Sequence, residues 1–145
     1  MKVVVLGWGS LIGHPKDLAT KGDWQPDGPY LPIEFARISG KNEDRLTLVC
    51  MEGVQPIRTY WIRSSRRTLE GARENLRCRE GCPEVDAIGY LTRKGRKRIV
   101  PFPEVEEPIR KWLAQKRRAG RGNLDWSLLQ FQEKDGKGFL FGQRS

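Results

Sequence analysis

The first apolar stretch of the chain is also its densest. Val3, Val4, Val5 and Leu6 follow one another without a polar break, and Gly7, Trp8, Gly9 and Ser10 close the run. Such a run bounded by glycines predicts a buried strand ending in a tight turn. Gly13 and Pro15 stop a long helix from following, because proline disfavours helix in the residue before it. Residues 21–30 (KGDWQPDGPY) have the composition of a loop. The pattern then shifts to period two. LPIEFARIS, 31–39, predicts a strand, and the polar residues 40–44 connect it to RLTLVCM, 45–51, with Leu46, Leu48 and Cys50 on one face. IRTYWIR, 57–63, predicts the next strand. No long helix separates these strands, which argues for a mixed or antiparallel sheet curled into a barrel and against serial βαβ units.

At 68–81 (TLEGARENLRCREG) the period lengthens. Leu69, Ala72 and Leu76 form one helical stripe, Thr68 can cap the start, and Gly81 can end it. At about 100° per residue, Glu80 falls about 20° from Leu69 around the axis, whereas Glu70 and Glu74 fall about 100° and 140° away. Glu80 is thus the glutamate that follows the apolar stripe inward, with Arg73 also near it. AIGYLTR, 87–93, and KRIVPF, 97–102, read as paired strands. Residues 104–119 predict a second helix with Ile109, Trp112 and Leu113 on its apolar stripe, acids early and bases late, as the macrodipole favours. LDWSLLQF and GFLFG are short closing elements. The expected fold is α+β: one domain over 1–145, a small mixed β-barrel of five to six strands with two principal flanking helices.

Composition narrows the class. The chain has 145 residues, 37% of them hydrophobic, and 16 glycines, which suits a single globular domain. No apolar stretch approaches the 18 or so residues of a membrane span. Lys2 before an apolar run resembles a signal peptide, but Gly7 and Gly9 break the run and no small-x-small site follows, so the N-terminus reads as mature structure. Three cysteines, Cys50, Cys78 and Cys82, fit reduced thiols in a cytoplasmic protein better than a disulfide framework. Charge is uneven. Residues 1–62 hold 7 basic and 7 acidic side chains, and 63–145 hold 20 and 11, which accounts for the whole +9. A basic half can attract nucleic acid or acidic ligands, although a run such as Arg93–Arg98 is more often a solvated tip.

Several chemistries fail on spacing. Gly7, Gly9 and Gly13 are spaced G-x-G-x-x-x-G, not as a dinucleotide fingerprint, and no βαβ unit surrounds them. Ser10 is not in a nucleophile elbow, and His14, the single histidine, has no evident acid partner. Cys78 and Cys82 lack further ligands for zinc, so no metal is expected. Glu80 remains. Burial and the negative end of a helix dipole both raise a carboxyl pKa, which suits a general acid/base. Arg77 and Arg79 oppose the shift, and a surface glutamate at a fraying helix end is the competing reading.

VVLGWGSLIGHP resembles the FGYGSLIW-x-P stretch of γ-glutamylcyclotransferase-like proteins, especially the glutathione-directed ChaC-type members. ENLRCREG followed by IGYL is similar to that family's helix-end motif with its essential glutamate. The likeness covers about residues 2–92. It implies a small mixed β-barrel whose strand-end loop cradles a γ-glutamyl group while the glutamate moves protons, without cofactor or metal. Matched residue by residue, the loop is Trp8, Gly9, Ser10 and Leu11, and the glutamate is Glu80. Gly7 and Tyr90 join the candidate substrate-binding set. Trp8 stands where the family has tyrosine, so that hydroxyl is missing. The segment from about 93 onward matches nothing in the family.

A γ-glutamyl group carries an α-carboxylate that needs a cation or N–H donors. Alternation places Ile33, Phe35 and Arg37 on one strand face, where Arg37 suits either a carboxylate fork or a structural ion pair. The expected partner is therefore a small γ-glutamyl molecule, with no membrane, the chain acting as monomer or homodimer. A non-catalytic ligand binder of the same fold is the second reading. Nucleic-acid binding through the basic half ranks last.

Overall fold

The computed structural model describes residues 2–39, 44–50, 53–80, 88–92, 97–98, 103–118, 124–130, 132–133 and 139–140. Side chains are described at 2–9, 11–33, 53–79, 88–92, 97 and 104–116. The first strand, β1 (Lys2–Gly7), is central because four consecutive apolar side chains can be buried only where both faces of a strand are covered. Val4 and Leu6 enter one core cluster and Val3 and Val5 the other.

Around β1 lie β2 (Thr20–Gln25), β6 (Tyr60–Ser64), β7 (Ile88–Thr92), β8 (Lys97–Arg98) and β9 (Leu124–Gln130). They form a six-stranded sheet in the order β2-β6-β1-β9-β7-β8. The β1–β9 pair is parallel and the other pairs antiparallel. A five-stranded sheet joins β3 (Tyr30–Ser39), β4 (Asp44–Cys50), β5 (Pro56–Arg58), β10 (Gln132–Glu133) and β11 (Phe139–Leu140), in the order β10-β11-β4-β3-β5. β3 and β4 pair from Ile33↔Cys50 to Ser39↔Asp44, as a hairpin requires.

Helix α2 (Leu69–Glu80) covers one face of the six-stranded sheet, with Leu69, Ala72 and Leu76 buried beside Val3, Val5, Ile62 and Ile88. Thr68 caps it through Oγ1, which accepts from Gly71 N at 3.0 Å. Helix α3 (Pro103–Arg118) covers the other face. Val105, Ile109, Trp112 and Leu113 pack there with Val4, Leu6, Trp61 and Leu91, and with Leu31 and Ile33 of β3. A single helical turn, α1 (Ser10–Gly13), follows β1.

Three expectations need correction. Residues 21–30 are not all loop: Thr20–Gln25 is β2, which among the described residues is an edge strand held by β6 alone. The strand expected over 57–63 is two strands broken at Thr59. There Gly28 N donates to Thr59 O at 2.9 Å, and Thr59 N donates to Pro29 O at 3.1 Å, so the chain turns a corner from one sheet to the other. Finally, the described residues form two open sheets rather than a closed barrel of five or six strands. Pairing of β3 with β5 ends at Pro32↔Pro56, where neither residue has an N–H to donate. No helix among the described residues is long and apolar enough to cross a membrane. The expected helix stop at Gly81, Cys82 and strand residues 99–102 lie outside the described residues.

Candidate functional site

The end of β1 threads the chain through the sheet. Gly7 is buried, and a Cβ there would sit 2.7 Å from the Trp24 ring and 3.2 Å from Leu11 Cδ2. Glycine thus lets the Trp24 indole close over the strand end. Trp8 then drops into the α3-side core, 3% exposed. Gly9, exposed at φ 65°, takes the left-handed conformation that reverses the chain into α1, where Ile12 N donates to Gly9 O at 3.2 Å. Leu11 anchors that turn in the opposite, α2-side core. Of the expected loop set, Trp8 and Leu11 are therefore packing residues by their side chains, on opposite faces of the sheet. What the loop offers a ligand is backbone at Gly9 and the residues after it.

Helix α2 fastens the next segment. Asn75 Nδ2 donates to Asp17 O at 3.0 Å, and Ala19 N donates to Asn75 Oδ1 at 2.7 Å. The Arg79 guanidinium donates to His14 O. Asn75 and Arg79 are 8% and 5% exposed, as buried as the apolar stripe. They widen the buried arc of α2 from Leu69 through Ala72 to Asn75, roughly 120° in all. Position 80 lies about 20° beyond the Leu69 end of that arc, at its margin rather than its centre. Arg73 occupies the same flank. It donates through Nε and Nη2 to Ile88 O at 3.1 and 3.0 Å, and its guanidinium stands 5.1 Å from the Tyr90 ring centroid. This ties the flank of α2 that carries Glu80 to the strand that carries Tyr90. The side chains of Glu80, Ser10 and Arg37 lie outside the described residues; Arg37 is placed on β3 opposite Leu46.

Glu74, about one turn and a half before Glu80, is engaged. Arg77 Nε donates to Glu74 Oε2 at 2.8 Å, and this hydrogen bond holds the Glu74 carboxyl below its ordinary pKa. Cys78 is an exposed free thiol beside them, and the described residues contain no cluster of three potential metal ligands.

Asn75 and Arg79 were missed as loop-holding residues. Their signal was present, since 75 and 79 share a helical face with Ala72 and Leu76, but a polar residue on such a stripe is recognised as buried only once its partner is known. Compared with protein-family models, curated proteins and solved structures, the chain matches none.

Proposed function

We propose that the protein is a γ-glutamyl cyclotransferase-type enzyme with a γ-glutamylcyclotransferase-like fold, converting a γ-glutamyl amide or peptide to 5-oxoproline and a free amine. One observation carries this reading. Two motif-bearing stretches far apart in sequence are fastened together, because Arg79 holds His14 O and Asn75 holds the backbone at Asp17 and Ala19. Glu80 follows Arg79 at the end of the helix that holds the segment after the glycine turn.

In this mechanism the substrate supplies its own nucleophile. Glu80 takes a proton from the α-ammonium, and the freed amine attacks the γ-carbonyl carbon to form the ring C–N bond. Glu80 gives that proton to the leaving amine as its bond breaks, and the second proton shed by the ring nitrogen passes to the same amine, which departs as an ammonium. Backbone N–H groups near Gly9, Ser10 and Leu11 receive the γ-glutamyl group and the developing oxyanion. Folding the substrate against the loop contributes through proximity. Arg37 and Tyr90 are the side chains assigned to substrate contact.

The test is release of 5-oxoproline from a panel of γ-glutamyl amines and glutathione. Glu80→Gln should fold as the wild type and lose at least about 100-fold in turnover, the usual weight of a general acid/base. A Glu80→Gln protein that keeps the wild-type rate overturns the mechanism. Ligand binding without turnover by the wild-type protein makes it a binding module instead.

A further inference from the structure

The outer margin of the six-stranded sheet holds a cleft of about 360 Å3, lined by Lys21, Gly22, Asp23, Gln25, Trp61 and Arg63. That volume lies within the range of small-molecule sites. It belongs to the face opposite α2. Arg63 pairs with Val4 and Trp61 with Leu6, and Val4, Leu6 and Trp61 all belong to the core under α3. The cleft therefore does not depend on the reading of Glu80.

Its shape comes from an irregular edge strand. Lys21 lies opposite Arg63 and Gln25 opposite Trp61, so Gly22, Asp23 and Trp24 stand against the single residue Ile62. Gly22 permits this at φ 81°, and nothing comes within 4 Å of where its Cβ would be. The bulge interrupts the pairing between Lys21 and Gln25 and leaves two cations facing each other across one strand pair.

That juxtaposition is unfavourable by itself, since like charges directly opposite in a sheet repel. Arg63 Nε is buried and has no hydrogen-bond partner. Neither Arg63 nor Lys21 forms an ion pair among the described residues, and the nearby acid, exposed Asp23, pairs with neither. A desolvated guanidinium N–H beside a second cation is satisfied by an oxyanion, which Arg can fork and Lys can neutralise. Gln25 Nε2 is turned to Asp23 O at 3.1 Å, and the Trp61 N–H is used by Asp27 Oδ1 at 2.7 Å. Trp61 thus offers the cleft its ring rather than a donor.

We infer that this cleft binds the oxyanion, carboxylate or phosphate, of a small molecule whose remaining part lies against Trp61. Arg63 and Lys21 hold the charge, and Asp23 at the rim weakens the binding.

The experiment is calorimetric titration of the full chain with inorganic phosphate and, separately, with succinate, at ionic strength held constant with sodium chloride. One arm should saturate above the chloride control, and the arm that does identifies the oxyanion. Arg63→Gln and Lys21→Gln should each weaken that binding at least fivefold, and Asp23→Asn should strengthen it. Should Arg63→Gln fail to fold, the exposed Lys21 position decides. No saturation in either arm, or a loss below fivefold in Lys21→Gln, overturns the proposal.

Discussion

The two helices that cover the central sheet hold their loops in opposite ways. Under α3 the core is aromatic and the loop is held by charge. Trp61 and Trp112 meet edge to face at 5.7 Å, their indole nitrogens donate to Asp27 Oδ1 and Asp27 O at 2.7 Å each, and Lys116 pairs with the same carboxylate. Under α2 the fully buried core is aliphatic, with Trp24 and Tyr90 at its margin, and the loop is held by side chains reaching backbone: Asn75 to Asp17 and Ala19, Arg79 to His14. The α3 arrangement holds Asp27 by its carboxylate and by its carbonyl. The α2 arrangement fixes main-chain geometry, which is what a site built from backbone N–H groups needs. The difference teaches that the α3 face serves as scaffold, while the α2 face fixes the backbone from His14 to Ala19, the segment that follows the glycine turn.

Substitutions on the two faces should therefore separate. Trp112→Ala removes an indole from the α3 core, and unfolding in urea should show the largest loss, about 3–5 kcal/mol, as for large-to-small aromatic changes in cores. A loss below about 1 kcal/mol means that this face is not the scaffold. Asn75→Ala strips the partner from one partly buried backbone donor and one acceptor, and should cost about 1 kcal/mol. Its distinguishing mark is local: amide exchange at Ala19 should accelerate beyond the change in global stability. Equal acceleration throughout the chain removes the special role given to α2. Thr68→Ala deletes the cap of α2 and should lower stability by about 1 kcal/mol while leaving the α3 cluster unchanged in near-ultraviolet spectra.

The smallest effect concerns the Asp27 ion pair. Burial pushes the Asp27 carboxyl up, but the Lys116 and Trp61 hydrogen bonds and the Lys116 charge outweigh it, so its pKa lies below the ordinary 3.8. A carboxyl with a depressed folded pKa contributes stability that is full above its unfolded value and is lost as pH falls through the folded one. The side chain is 37% exposed, so solvent screening keeps this contribution under about 1 kcal/mol. Wild type should exceed Asp27→Asn in stability at neutral pH, and the gap should close below pH 3.8. A gap that stays constant into acid would show that the charge is irrelevant and only the hydrogen bonds count.

Elements with strong internal periodicity were legible in the chain. β1 was marked by four apolar residues in a row, β3 and β4 by alternation, α2 by Leu69, Ala72 and Leu76 behind a Thr68 cap, and α3 by Ile109, Trp112 and Leu113. β2 was hidden because an edge strand with a bulge has no regular alternation, and its Gly22 and the following Pro26 imitate a loop. The break at Thr59 was hidden because IRTYWIR has strand-forming residues on both sides of it. The glycine turn was legible as a turn. The split of Trp8 and Leu11 to opposite faces was not, since it depends on which helix covers which side.

The sequence by itself determined the central strand, the two long helices and the glycine turn between sheet and helix, because each rests on backbone preferences and side-chain spacing within a few residues. Only the tertiary structure decided which polar groups lie inside and what they hold. Arg79 meets His14 across 65 positions, and Lys116 meets Asp27 across 89. Local periodicity carries no information about partners at that range, so the burial of Arg79 follows only from the fold, which supplies the carbonyl it holds. The same holds for the two open sheets, whose closure depends on edge pairing between strands and not on the apolar pattern of any one of them.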